Sequence, residues 1–246
     1  MKTQPCYFAL LLGLLFHTGF AQGLYYKSVT EMEGVPAMLA KMSKSTSETW
    51  CKKGKLKVLT HTPSVSQTQY MDGKTVTIIN SNEPTCVLFS QSALLKDSVF
   101  SSVYISKVRV EQSSETRKIL GYTCSKTILH YQAAQKENKS ATTNCEMWVW
   151  SCKDLKLPVE ALNKPEILQR NSLSEAMMNI EGFVLCSETI MKDSQMKTVT
   201  KVTEIQTRDI PDSEFVPGKG LCENPMGLPE YNAYLIRQSK TPTGWH

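Results

Sequence analysis

Beyond residue 22 the chain carries seven cysteines, Cys51, Cys86, Cys124, Cys145, Cys152, Cys186 and Cys222, and three histidines, His61, His130 and His246. Thiols ligate metals, attack electrophilic carbon or pair as disulfides, and spacing separates these uses. No two of them show C-x-x-C spacing, six residues separate Cys145 from Cys152, and the histidines are scattered. Metal ligation is therefore not expected, and disulfide pairing is. Seven thiols allow roughly a hundred ways of making three bridges, so the sequence does not pair them. Cys222, far out in the tail, is the thiol expected to be most exposed and free to meet another chain. Cys124 and His130 have the residue types of a nucleophile and its base, and their even spacing puts both on one strand face. Six residues of strand nevertheless span about 20 Å, far beyond hydrogen-bond reach. Asp209, Asp212 and Glu214 cluster beside Pro211 in turn-like sequence, where acidic residues are common. No catalytic residue and no cofactor are expected, and the chain reads as non-catalytic.

Binding chemistry is more visible. Met38, Leu39 and Met42 fall on one helical face, as do Leu173, Ala176, Met177 and Ile180, with Met178 adjacent. Flexible thioethers adapt to irregular apolar partners, so Met38, Leu39, Met42, Met177, Met178 and Ile180 are the candidate ligand-lining residues, with ordinary core packing as the alternative. Trp148 and Trp150 share a strand face with Glu146, and are either core or an aromatic patch for a protein partner. Lys52, Lys53, Lys55 and Lys57 form the densest positive stretch, suited to an anionic head group or to a solvated strand edge. Asn138-Lys139-Ser140 is a glycosylation sequon, relevant in a eukaryote.

The elements that must position these groups are mostly strands. In 246 residues, 41% are hydrophobic, 21% charged and 8% aromatic, a globular balance with a core. A net charge of +5 is too mild to imply nucleic acid. After residue 45, runs rich in Val, Ile, Thr and Tyr alternate with turn residues, as in a long antiparallel meander. Asp72-Gly73 marks a hairpin between runs at 66–71 and 74–80, and further strands read at 105–111, 122–131, 145–150, 183–191 and 196–207. Short helices are expected at 36–43, 92–100 and 173–180. The polar stretch 132–144 reads as a long hairpin loop. At the N-terminus, Lys2, the apolar run 7–16 and Gly19-Phe20-Ala21 read as a cleaved signal peptide, residues 1–21. The expected product is secreted or periplasmic, with no integral membrane segment in the mature chain. Gly and Pro become frequent after residue 217, giving a single domain over 22–219 and an extended tail over 220–246.

The strings RKILGYTCSK (117–126), EMWVW (146–150) and LP (157–158) resemble the "ILGYKCKK … vWYT … lP" signature of exported bacterial domains of unknown function. IEGFVL (180–185), the strand 198–205 and FVPG (215–218) continue the resemblance in order. It departs at Val184, where the family carries Pro, in the number of cysteines, and in the tail after Cys222. That family is similar in fold to the lipoprotein carriers of the Lol A and Lol B type. The resemblance implies an α+β, mainly β fold: a strongly curved antiparallel sheet, an unclosed barrel, with short helices covering its concave face. It also implies a carrier whose helical lids yield to a lipid or acylated polypeptide. The alternative is a secreted interaction module with a filled core, binding a protein partner through the Trp148/Trp150 strand or the tail.

Overall fold

The structure, a computed structural model, describes residues 23–73, 75–82, 86–90, 103–135, 138–155, 172–231 and 233. Strands alternate β-branched and polar residues, and eleven of them follow in chain order. They are β1 (Gly23–Glu33), β2 (Ser45–Lys52), β3 (Lys55–His61), β4 (Ser66–Asp72), β5 (Thr75–Asn80) and β6 (Cys86–Ser90). After these come β7 (Val103–Ile119), β8 (Tyr122–Gln135), β9 (Asn138–Cys152), β10 (Phe183–Met191) and β11 (Met196–Arg208). Helices α1 (Ala37–Ser43) and α2 (Ser172–Met178) and a 3-10 turn, Asp212–Phe215, complete the described elements.

All strands join one antiparallel sheet in the order β6-β5-β4-β3-β2-β1-β11-β10-β9-β8-β7. Two meanders, β1 to β6 and β7 to β11, meet where β1 pairs along its whole length with β11, from Gly23↔Arg208 to Glu33↔Lys197. The sheet does not close, so β6 and β7 are its edges. Helix α1 packs on β1, and α2 packs on β7 and β8. This is the mainly β, unclosed architecture expected from the sequence.

Local features follow the residues. Gly73 takes a left-handed φ of 57° in the turn that sets Asp72 opposite Thr75, the hairpin expected from Asp-Gly. Two expectations are corrected. The stretch 132–144 is not a loop: β8 runs to Gln135, β9 starts at Asn138, and these two residues face each other. Threonines and alanines there carry strand pairing without the apolar alternation that would mark it. Cys222 is not free for another chain, because it forms a disulfide with Cys86 on β6. The tail does this by running back along the sheet edge. Met226 donates its N–H to the Cys86 carbonyl and accepts from the Leu88 N–H, at 2.8 and 3.0 Å. The expected helix at 92–100 and the signal peptide lie outside the described residues.

The two edges are protected differently. The tail covers β6, whereas β7 breaks its own regularity with register shifts between Ser106 and Arg109 and between Gln112 and Thr116. Such bulges and the charges Lys107, Arg109, Glu111 and Glu115 discourage another strand from adding there.

Buried side chains form three clusters. Leu24, Cys51, Cys124, Trp150, Cys152, Phe183, Leu185, Cys186, Val199 and Val202 join the two meanders. Val76, Val87 and Phe89 pack with Leu228 and Tyr231 of the tail. Tyr25 and Trp50 pack under Ile210 and Phe215.

Candidate binding site

Helix α1 starts after Pro36, whose carbonyl accepts the first helical bond from Ala40 N–H at 3.0 Å, and ends where Lys44 turns extended. Its Ala, Met, Leu and Lys residues favour helix intrinsically. None of its residues is buried: Met38, Leu39 and Met42 are 76%, 52% and 65% exposed. Met177, Met178 and Ile180, on and just after α2, are half-buried. The structure does not bring these two groups together. Four strand steps separate β1 from β8, about 19 Å at the usual spacing, and each helix covers its own part of the sheet. A pocket of about 450 Å³ opens at the β8–β9 tip, lined by Ala133, Ala134, Gln135, Ala141, Thr143, Cys145 and Met191. None of the sequence-chosen lining residues is among them. Alanines carry little signal in sequence, which is why this pocket was not foreseen.

Trp148 and Trp150 sit on a face built by register. Lys126, Trp150, Cys186 and Lys201 lie side by side across β8 to β11, and Ile128, Trp148, Glu188 and Val199 form the next row. Glu146 shares the face as expected and accepts a hydrogen bond from the Trp148 indole N–H. The exposed-patch reading is corrected at Trp150, which is buried. The Arg117 guanidinium caps its ring at 4.0 Å and the Lys126 ammonium caps the Trp148 ring at 3.9 Å. These cations replace the partner that an open aromatic pair would need.

Glu188 organises this face. Its carboxylate accepts from Lys197 at 2.6 Å and Arg117 at 3.2 Å. Burial pushes its carboxyl up, but Lys197 and Arg117 outweigh that and hold it below the ordinary glutamate value of 4.5. A carboxyl with a lowered folded-state pKa contributes stability that is present above its unfolded value and is lost as pH falls through the folded one. Glu188→Gln is therefore expected to cost about 1–3 kcal/mol at pH 7, since Lys197 loses its buried counter-charge. It should also flatten the loss of stability below pH 4.5, measured as urea midpoints from pH 7 down to 3. An unchanged acid limb would show that the carboxylate is not held as described. Sequence reasoning missed Glu188, Arg117 and Lys126 because their contacts are set by strand register, with Lys197 nine positions from Glu188 across a hairpin and Arg117 71 positions away.

Three lysines of the basic stretch, Lys52, Lys55 and Lys57, are paired with acids. Lys52 bridges to Asp212 at 3.3 Å and Asp209 at 3.8 Å, Lys55 to Asp212 at 3.4 Å, and Lys57 to Glu214 at 2.8 Å. The acidic group beside Pro211 is thus the counterpart of the lysine run, and the two hold the 3-10 turn over Tyr25 and Trp50. Among the described residues no group of three or more His, Cys, Asp or Glu is arranged to hold a metal, and no helix is long and apolar enough to cross a membrane.

No protein-family model and no curated protein matches the chain. Solved structures do. The structure of PNGF-II matches over 88% of this chain at 16% identity and TM-score 0.42, and this chain spans 34% of that chain's length. An uncharacterized conserved protein from Thermus thermophilus matches at 6% identity and TM-score 0.49, over 84% of this chain and 91% of that one. An outer membrane lipoprotein-sorting protein domain from Vibrio parahaemolyticus matches at 9% identity and TM-score 0.34, over 78% and 88%. These likenesses are of fold alone, and no residue role is taken from them.

Proposed function

We propose that the chain is an exported, non-catalytic binding protein that shelters an apolar ligand, a lipid or acyl chain, against its sheet beneath a short helical lid. The observation that carries this reading is α1, whose Met38, Leu39 and Met42 stand in solvent on a helix that buries none of its own residues. Covering such side chains is worth about 1.5–3 kcal/mol each, so a ligand entering beside α1 gains what the free protein forgoes. The apolar pocket at the β8–β9 tip, of a size usual for small ligands, supplies a second surface for the same chemistry. The Cys86–Cys222 disulfide fits an oxidising, exported setting.

The test is native mass spectrometry of the full chain purified from its exported compartment, followed by organic extraction of what is released. A stoichiometric lipid or acyl mass is expected. Met38→Asp combined with Met42→Asp should lower its occupancy at least tenfold, because two apolar contacts are lost. An apo mass with nothing extracted, or full occupancy in the double variant, overturns the reading.

A further inference from the structure

Four of the five free cysteines among the described residues, Cys51, Cys124, Cys152 and Cys186, lie in one apolar cluster. Two of them are set opposite each other by strand register. The β8–β9 ladder keeps constant register from Ala134↔Thr142 to Ser125↔Ser151, and one further step aligns Cys124 with Cys152, the last residue of β9. Directly opposed residues in such a ladder have Cα atoms about 4.5–5.5 Å apart, inside the roughly 4.4–6.8 Å span of a disulfide. Both side chains are 0% exposed. Burial raises the Cys124 thiol, and Cys152 and Cys186 add to the rise while Arg117 opposes it. Cys186 sits opposite Trp150, diagonal to Cys152, with its thiol directed at Glu188 3.9 Å away. It is the less well placed partner.

We infer that Cys124 and Cys152 are joined as a second disulfide in the exported protein, with Cys51, Cys145 and Cys186 left as thiols. The structure holds the pair in its reduced form. The oxidant is a disulfide donor, either a protein disulfide or an oxidised low-molecular-weight thiol. The Cys124 thiolate attacks one donor sulfur, breaking the donor disulfide and releasing one donor thiolate. The Cys152 thiolate then attacks the Cys124 sulfur of the mixed disulfide and releases the second. Two protein thiols are oxidised, the donor is reduced to two thiols, and the two protons end there. Because neither sulfur meets solvent in the folded chain, the exchange takes place during folding. The finished bridge then resists reductants until the protein unfolds.

The bridge would pin the end of the β8–β9 pair that lies away from its hairpin, directly beneath Trp150. This inference is independent of any ligand. It is tested on full-length protein from an oxidising compartment, in a preparation where peptide mapping shows Cys86 linked to Cys222. Alkylation in denaturant without reductant, followed by digestion, is expected to label Cys51, Cys145 and Cys186 and to yield a peptide pair joining Cys124 to Cys152. The Cys186→Ala variant should keep that joined pair. Alkylation of both Cys124 and Cys152, or a link from either one to Cys186, overturns the inference.

Discussion

Replacing Cys86 and Cys222 together with alanine is expected to lower the free energy of unfolding by about 4–5 kcal/mol, because the bridge closes a very long loop in the unfolded chain. The two residues are 136 positions apart, so the lost constraint is near the upper end of what one disulfide supplies. For a domain of this size that corresponds to a fall of roughly 10–20 °C in Tm. The native side adds to the effect. Without the bridge, the tail is held by the two Met226 backbone bonds and by Leu228 and Tyr231 against Val76, Val87 and Phe89. Urea unfolding of the variant beside the parent measures the loss, and hydrogen exchange at Leu88 and Met226 reports whether the tail has lifted. A change below about 1 kcal/mol would show that the unfolded chain is constrained elsewhere.

Gly182→Ala is the single substitution expected to damage the sheet most, by about 3 kcal/mol or more. Gly182 has φ +88°, where L side chains are strained, and an added Cβ would land on the carbonyl of Cys152 and 2.8 Å from the Lys153 nitrogen. Those are backbone atoms at the end of β9, so the β9–β10 pairing from Phe183↔Cys152 onward must move. Gly121→Ala separates strain from collision: φ is +85° there, yet nothing lies within 4 Å of the added atom. Strain alone is worth about 1–2 kcal/mol. Equal denaturation midpoints for the two variants would sink the close approach at Gly182.

Much of this fold was legible because a half-buried strand writes its period into the sequence. Strands such as β4, β5, β10 and β11 were read nearly at their observed bounds, and α1 and α2 within one or two residues. Strands β1 and β2 were not among those expected, and two further stretches went unread for a shared reason. In β7 the polar run Gln112, Ser113 and Ser114 spans a break in register, and at the β8–β9 tip Thr142 and Thr143 pair with alanines, so no apolar alternation advertises either stretch. The candidate site was less legible. Trp148 and Glu146 are two residues apart on one strand, and their shared face was readable. Glu188 meets Arg117 from 71 positions away, and Lys52, Lys55 and Lys57 meet acids of a 3-10 turn that packs on β3 from beyond the last strand; tertiary packing, not spacing, makes those contacts. The lysine run and the acidic turn were each visible and each ambiguous, and only the fold shows that Lys52, Lys55 and Lys57 meet those acids.

The pairing of β1 with β11 also sets the order in which the protein can be made. Thr30 bonds Thr200 across 170 positions, at the middle of the sheet. A chain emerging N-terminus first can build its first meander early, but β1 then waits with one side unpaired until the last strand, β11, has arrived. Closing so distant a contact is slow, and a strand edge left unpaired in the meantime invites association with other chains. Holding the nascent chain extended until residue 208 has passed would therefore favour its yield, and a chaperone that shields β1 should matter more to this protein than one that acts on the finished fold.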